Sequence, residues 1–417
     1  MPHPFTLLFL CLLALSLFMQ LWLARRQITH IMAHRHQVPA QFSGRIALSA
    51  HQKAAEYTCA KTRLDRLSTL TGAGLLLIFT LGGGIQALHH FWSAHLHGLP
   101  YGIVLMFSVF ALSALVDLPF SLYRQFVIEE QFGFNRMTPA LYLADLGKHI
   151  VLAAAIGTPV LAAILWLMGA MGALWWLYVW VFWSVFNLLV LFIYPTWIAP
   201  LFNKFTPLAD GELRHRIESL LQRCDFSASG LFVMDGSKRS SHGNAYFAGF
   251  GSNKRIVFFD TLLERLQPAE IEAVLAHELG HFKHRHITKR IVLLFVLSLG
   301  FLWLLGQLID APWFYAELGV SAQNTALALI LFFLVIPVFT FIFSPLASLL
   351  SRRHEFEADA YAARHASAED LIRALVKLYE DNAATLTPDP WHSLFYDLHP
   401  PAALRIARLE KGAPPHA

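Results

Sequence analysis

The sequence predicts an all-α polytopic membrane protein carrying a small α+β insertion. Three observations lead there. Apolar residues make up 56% of the 417 positions while charged residues make up only 14%. Several uninterrupted apolar runs approach or exceed the roughly 20 residues a helix needs to cross a bilayer. Lys and Arg gather on alternate connections between those runs, as membrane insertion favours. The net charge of +4 is small and its basic residues stand beside the spans, so nothing calls for nucleic acid. Cys11, Cys59 and Cys224 are isolated, which argues against a disulfide framework and against thiolate metal ligation.

Phe5 to Leu23 is a first apolar run, followed rather than preceded by Arg25 and Arg26, so it reads as a retained span with its N-terminus outside. Further spans are expected at Leu67–Leu88, Tyr101–Leu118, His149–Met168, Leu174–Tyr194, Ile291–Ile309 and Thr325–Phe343, about seven in all. Gly82-Gly83-Gly84 and Pro337 predict bends or close helix contacts within their spans. The connections His89–Pro100 and Asp310–Gln323 contain no Lys or Arg, whereas Ala24–Arg66, Pro119–Lys148, Trp197–Arg290 and the C-terminal region contain many. The basic side is the cytoplasm. That is the plasma membrane's inner face in a bacterium and the cytosolic face of the endoplasmic reticulum in a eukaryote. The units are residues 1–201 with the first five spans, 202–290 as a cytoplasmic-side insertion, 291–350 with spans six and seven, and 351–417 beyond them.

Pro119 is expected to end the third span and open an interfacial loop of partly helical character. In the insertion, Gly211–Cys224 has helical periodicity, Leu231–Met234 and Arg255–Phe259 read as strands, and Asn244-Ala-Tyr-Phe-Ala-Gly-Phe reads as another before a Gly251-Ser252-Asn253 turn. The sheet should lead directly into a helix from Pro268, whose proline suits a first turn and whose Glu270 and Glu272 favour its positive end. Lys411–Ala417 is expected to be disordered.

That helix carries His277-Glu278-Leu279-Gly280-His281, the H-E-x-x-H pattern. Residues four apart share a helix face, so His277 and His281 can aim two imidazoles at one metal, with Glu278 beside them as a base toward water. A third protein ligand is still needed. Because the helix precedes span six on the cytoplasmic side, the ligand must come after span seven, where the chain returns. Ser351-Arg-Arg-His-Glu-Phe-Glu-Ala-Asp-Ala-Tyr361 stands there. His354, Glu355, Glu357 and Asp359 are all chemically able; Glu355 and Asp359 share one face and Glu357 points away. A charged face at the membrane surface would look similar.

At these residues the chain resembles the type 1 CAAX prenyl endopeptidases, integral-membrane zinc metalloproteases of the gluzincin group. The likeness extends through Leu118-Pro-Phe-Ser-Leu-Tyr-Arg124, Glu129-Glu130, Gly133-Phe-Asn135, Ile198-Ala-Pro-Leu-Phe-Asn-Lys-Phe-Thr-Pro207, Asn244-Ala-Tyr-Phe247, Glu355-Phe356, Ala358-Asp359 and His399-Pro-Pro401, in family order. The resemblance implies seven helices enclosing a water-filled chamber, with one zinc ion held by His277, His281 and Glu355. It implies Glu278 as the catalytic carboxylate and Asp359 as the carboxylate behind a ligand. It puts His399 and Arg405 near the reacting carbonyl, and substrate along an edge strand at Asn244, Ala245 and Tyr246. Phe282-Lys-His-Arg-His286 and His354 depart from the family pattern, and no role is assigned to His284 or His354.

The activity implied is removal of the last three residues from a prenylated C-a-a-X end. A quality-control protease acting on misfolded membrane proteins would share the same chemistry. A transporter with structural zinc is a third reading, but Glu278 argues against it, because a structural site needs no base.

Overall fold

The structure, a computed structural model, describes residues 4–248 and 254–412. The expected turn at Gly251-Ser252-Asn253, the end of its preceding strand at Gly249-Phe250, and residues 413–417 fall outside them. Six helices or helix runs are long and apolar enough to cross a membrane, and a bent pair makes a seventh. The first is α1 (Pro4–His34). The bent pair is α2 (Leu48–Phe79) and α3 (Gly84–Ser93), which meet at 51°. Gly83 sits at the break with φ of +77°, a conformation that costs a residue with a Cβ but not glycine. The glycine triplet therefore breaks its span.

The third span, α4 (Gly98–Tyr123), runs through Pro119 and beyond the expected end at Leu118. It continues as a π-turn over Arg124–Ile128 and the short α5 (Glu129–Gln131). The π-turn's wider winding keeps a helical path where a loop was expected. Next come α6 (Pro139–Ala170), started by Thr138 accepting a hydrogen bond from the Leu141 amide, and α7 (Trp175–Ile193).

The insertion holds β1 (Phe205–Pro207), α8 (Glu212–Arg223), β2 (Gly230–Met234), β3 (Ala245–Ala248) and β4 (Arg255–Phe259). The strand order is β1-β2-β4-β3, with β2 and β4 parallel and both outer pairings antiparallel. Strand β1 gave no pattern because only three residues pair. Strand β3 is an edge of the sheet. The sheet does not pass directly into the long helix: α9 (Asp260–Arg265) intervenes and turns the chain before α10 (Pro268–Lys283). Gln267 caps α10 reciprocally, its backbone amide donating to Glu270 Oε2 at 2.8 Å, while Pro268 needs no donor partner in the first turn.

Arg285, at φ +55°, reverses the chain into the span α11 (His286–Leu308). The short α12 (Pro312–Ala316) and the span α13 (Thr325–Thr340) follow, with Pro337 inside the latter. One 3-10 turn later the chain resumes as α14 (Ser344–His365). It finishes with α15 (Ala368–Asp381), α16 (Pro390–Tyr396) and α17 (Ala402–Gly412). Lys411 and Gly412 thus close a helix. One apolar core joins the spans around α13, and a separate core packs α8, the sheet, α10, α15 and α17.

Candidate active site

The α11–α13 hairpin returns the chain to the end where α10 lies, and α14 packs directly on α10. A Cβ at Gly280 would meet the Ala358 Cα at 2.9 Å and the Ala358 carbonyl oxygen at 3.1 Å, so the two helices touch backbone to backbone there. This close approach brings Glu355 against the histidines. His277 Nε2 lies 3.5 Å from Glu355 Oε2, and His281 Nε2 lies 3.3 Å from Glu355 Oε1. The two imidazole Nε2 atoms are 3.2 Å apart. One donor atom from each of the three residues falls within 4.8 Å of the others, a grouping a single metal ion could satisfy. Glu355 Oε2 is buried with no hydrogen-bond partner, an oxygen that a cation would satisfy.

Behind this group, His277 Nδ1 donates to Asp359 Oδ1 at 2.8 Å, leaving Nε2 with its lone pair toward the cluster. Burial works against the charged form of His277, but the neighbouring Asp359 and Glu355 carboxylates outweigh that and push it up to about 9. The same excess of negative charge favours a metal cation. Arg405 is buried behind the site, donating from Nε at 2.8 Å and Nη2 at 2.6 Å to the two Asp359 oxygens, with Nη1 3.5 Å from Glu355 Oε2. The exposed His399 also approaches the cluster, its Nε2 3.5 Å from Glu355 Oε1.

A cavity of about 270 Å³ opens onto these groups, lined by Asn244, Ala245, His277, Glu278, His399 and Arg405 among others. Tyr246 lies one position further along β3, on the same sheet edge. The Asn244 carbonyl accepts from the Phe259 amide at 2.9 Å, so that end of β3 is held by β4 and its outer side is left for another strand.

Residues 27–204 match the CAAX prenyl protease N-terminal family with five membrane helices, and residues 207–413 match peptidase family M48. "CAAX prenyl protease 1 homolog" of Arabidopsis thaliana is 41% identical over 307 residues, covering 73% of this chain and 72% of the relative. The human "CAAX prenyl protease 1 homolog" is 37% identical, covering 72% and 71%. The crystal structure of S. mikatae Ste24p aligns with a TM-score of 0.90 at 32% identity, over 98% of this chain and 99% of that one.

The chain belongs to the CAAX prenyl protease 1 family. It is a multi-pass membrane metalloendopeptidase with the family's membrane-chamber fold. On this family frame the structure adds a chain of side chains that no sequence pattern singled out. His281 Nδ1 lies 3.0 Å from His286 Nδ1, and His286 Nε2 lies 3.0 Å from Glu357 Oε2. Glu357 in turn accepts from Arg353 Nε at 3.1 Å. The His354 ring stacks on His286 with centroids 4.0 Å apart. With His281 Nε2 free toward the cluster, its Nδ1–H donates to His286, and His286 Nε2–H donates to Glu357. Glu357 therefore faces the cluster of His277, His281 and Glu355 through two imidazoles rather than directly. The separations of His286 from its partners, five residues to His281 and 71 to Glu357, fit no local motif.

Proposed function

We propose that this metallopeptidase uses one zinc ion, held by His277, His281 and Glu355, to remove the last three residues of prenylated C-a-a-X peptides or proteins. The observation carrying this reading is the convergence of those three donors beside Glu278 at an open sheet edge. Two imidazoles and one carboxylate suit zinc, whereas magnesium and calcium favour all-oxygen sets. A bound zinc supplies Lewis acidity toward the scissile carbonyl and toward water.

The chain's own groups do the rest. Asn244, Ala245 and Tyr246 offer backbone donors and acceptors to a substrate laid on as an added strand, which binds peptides with little regard to side chains. Glu278 takes the proton of the attacking water and delivers it to the leaving amine. His399, exposed beside the cluster, donates to the oxyanion that develops on the carbonyl. Arg405 is committed to Asp359 by two hydrogen bonds, so its part is to hold that carboxylate, and through it His277, in place. Residues 202–290 and 351–417 act as two halves of one catalytic unit, set on the cytoplasmic side by the distribution of basic residues. The names of the curated relatives and the fold's chamber support a prenylated substrate whose isoprenoid needs an apolar wall.

A farnesylated C-a-a-X peptide and its unprenylated twin, given to the purified zinc-loaded protein, test the reading. The prenylated peptide should lose its tripeptide and the twin should react far more slowly. Glu278→Gln should keep one zinc per chain and lose cleavage; full cleavage by that variant refutes the assignment.

A further inference from the structure

Beyond His399 lies a second cavity, of about 670 Å³, walled by α1 and α2 on one side and by the ends of α15, α16 and their following connections on the other. Its lining includes Lys61 and Arg66 from α2, Tyr379 from α15, His392 from α16, and His399 itself. The cavity therefore opens at a residue of the active site and closes against two cations.

Neither cation has a carboxylate within salt-bridge distance among the described residues, although Glu129 and Asp65 lie close enough to act on Lys61 electrostatically. Arg66 Nε is buried with no hydrogen-bond partner, and so is Nδ1 of the neighbouring His392. Lys61 places its ammonium over the Tyr57 ring, 4.1 Å from the centroid, and neither it nor Arg66 forms an ion pair among the described residues. Two carboxylates share the wall, but Asp65 is taken by Arg124, and Asp397 stands two residues before His399 without pairing to either cation. Partly buried Lys and Arg side chains are ordinarily paired, because desolvating an unpaired charge is costly. An anionic ligand would complete the wall.

The route from the sheet edge points to the same place. His242, just before β3, has its Nε2 3.4 Å from Glu129 Oε2 and its Nδ1 3.0 Å from Asn382 Oδ1. Glu129 accepts from the Tyr57 hydroxyl, and the Tyr57 ring carries Lys61. A peptide leaving β3 past Asn244 thus follows a continuous line of side chains to α2. Three extended residues span roughly 10 Å, and a cavity of this volume is roughly 9 Å across.

We propose that this cavity is the subsite for the C-terminal end of the substrate, with Arg66 and Lys61 receiving its free α-carboxylate. This deepens the endopeptidase reading and rests on it. The distance between the carboxylate subsite and the Glu278 side of His399 then sets how many residues leave, which gives a physical basis for release of a tripeptide.

The test compares one farnesylated C-a-a-X peptide as its free acid and as its C-terminal amide, with the full-length zinc-loaded protein. The acid should be cleaved with a kcat/KM at least about tenfold higher, the worth of a charge-assisted pair, and mainly through KM. In a Lys61→Gln, Arg66→Gln double variant the acid-to-amide ratio should approach one, and a ratio within one preparation is independent of how much enzyme is folded. Equal cleavage of acid and amide by the unaltered protein overturns the subsite while leaving the peptidase intact. A ratio undiminished in the double variant overturns it as well. Cleavage of neither peptide refutes the substrate reading and removes the basis for this one.

Discussion

Gly280→Ala is a single-methyl perturbation whose effect can be worked from the packing of α10 on α14. The added Cβ would sit 2.9 Å from Ala358 Cα, 3.0 Å from Tyr361 Cβ and 3.1 Å from the Ala358 carbonyl oxygen, whereas ordinary contacts begin near 3.4 Å. Two of the three obstacles are backbone atoms, so no rotamer change relieves the clash. The helices must part by about 0.5 Å, and overpacking of this kind costs about 1–3 kcal/mol. His277 and His281 ride on α10 and Glu355 on α14, so the same shift opens the ligand group. Metal–ligand distances tolerate only about 0.2 Å. Metal affinity should fall by about tenfold or more, alongside a lower unfolding temperature. Zinc per chain after dialysis against graded chelator, measured by elemental analysis, gives the affinity, and thermal unfolding in detergent gives the stability. Wild-type zinc retention and cleavage in Gly280→Ala would refute the argument that this glycine sets the ligand spacing.

Glu355→Ala should strip zinc from the purified protein, whereas Glu357→Ala should retain it at intermediate chelator strength; the reverse order would move the third ligand by two residues. His286→Ala should weaken zinc retention by about 10–100-fold, because His281 loses the acceptor that fixes its tautomer; unchanged retention would show that the imidazole pair is packing alone. His399→Ala should leave zinc content intact and lower kcat by about 10²-fold, the usual worth of one oxyanion donor, and an effect confined to KM would assign it to binding instead.

The helix Pro268–Lys283 and its two histidines were legible because their information is local. A proline at the first turn, acidic residues at the positive end and an i, i+4 spacing are properties of a few turns of backbone. The spans were legible because bilayer thickness imposes a length and charge imposes alternate sides. Where local signals weaken, so does the reading. Pro119 sits inside a helix because the π-turn after it absorbs the winding, and three-residue β1 has no periodicity to detect. The intervening α9 is only six residues long, below what a helical period reveals.

Local patterns in the chain were enough for the membrane class, the span pattern, the strands Leu231–Met234 and Arg255–Phe259, and the helix that carries His277, Glu278 and His281. Helical phase could place Glu355 and Asp359 on one face, but which face meets α10 depends on the approach at Gly280 and Ala358, between positions 78 residues apart. Only the tertiary structure decided that Glu355 meets both histidines while Glu357 reaches them through His286, and that Arg405 spends its hydrogen bonds on Asp359. It likewise made β3 an edge and set Lys61 and Arg66 across a cavity from His399. The reason is physical: backbone propensity and solvent partition act over a few residues or one bilayer thickness, whereas a side chain's partner is set by how whole helices pack.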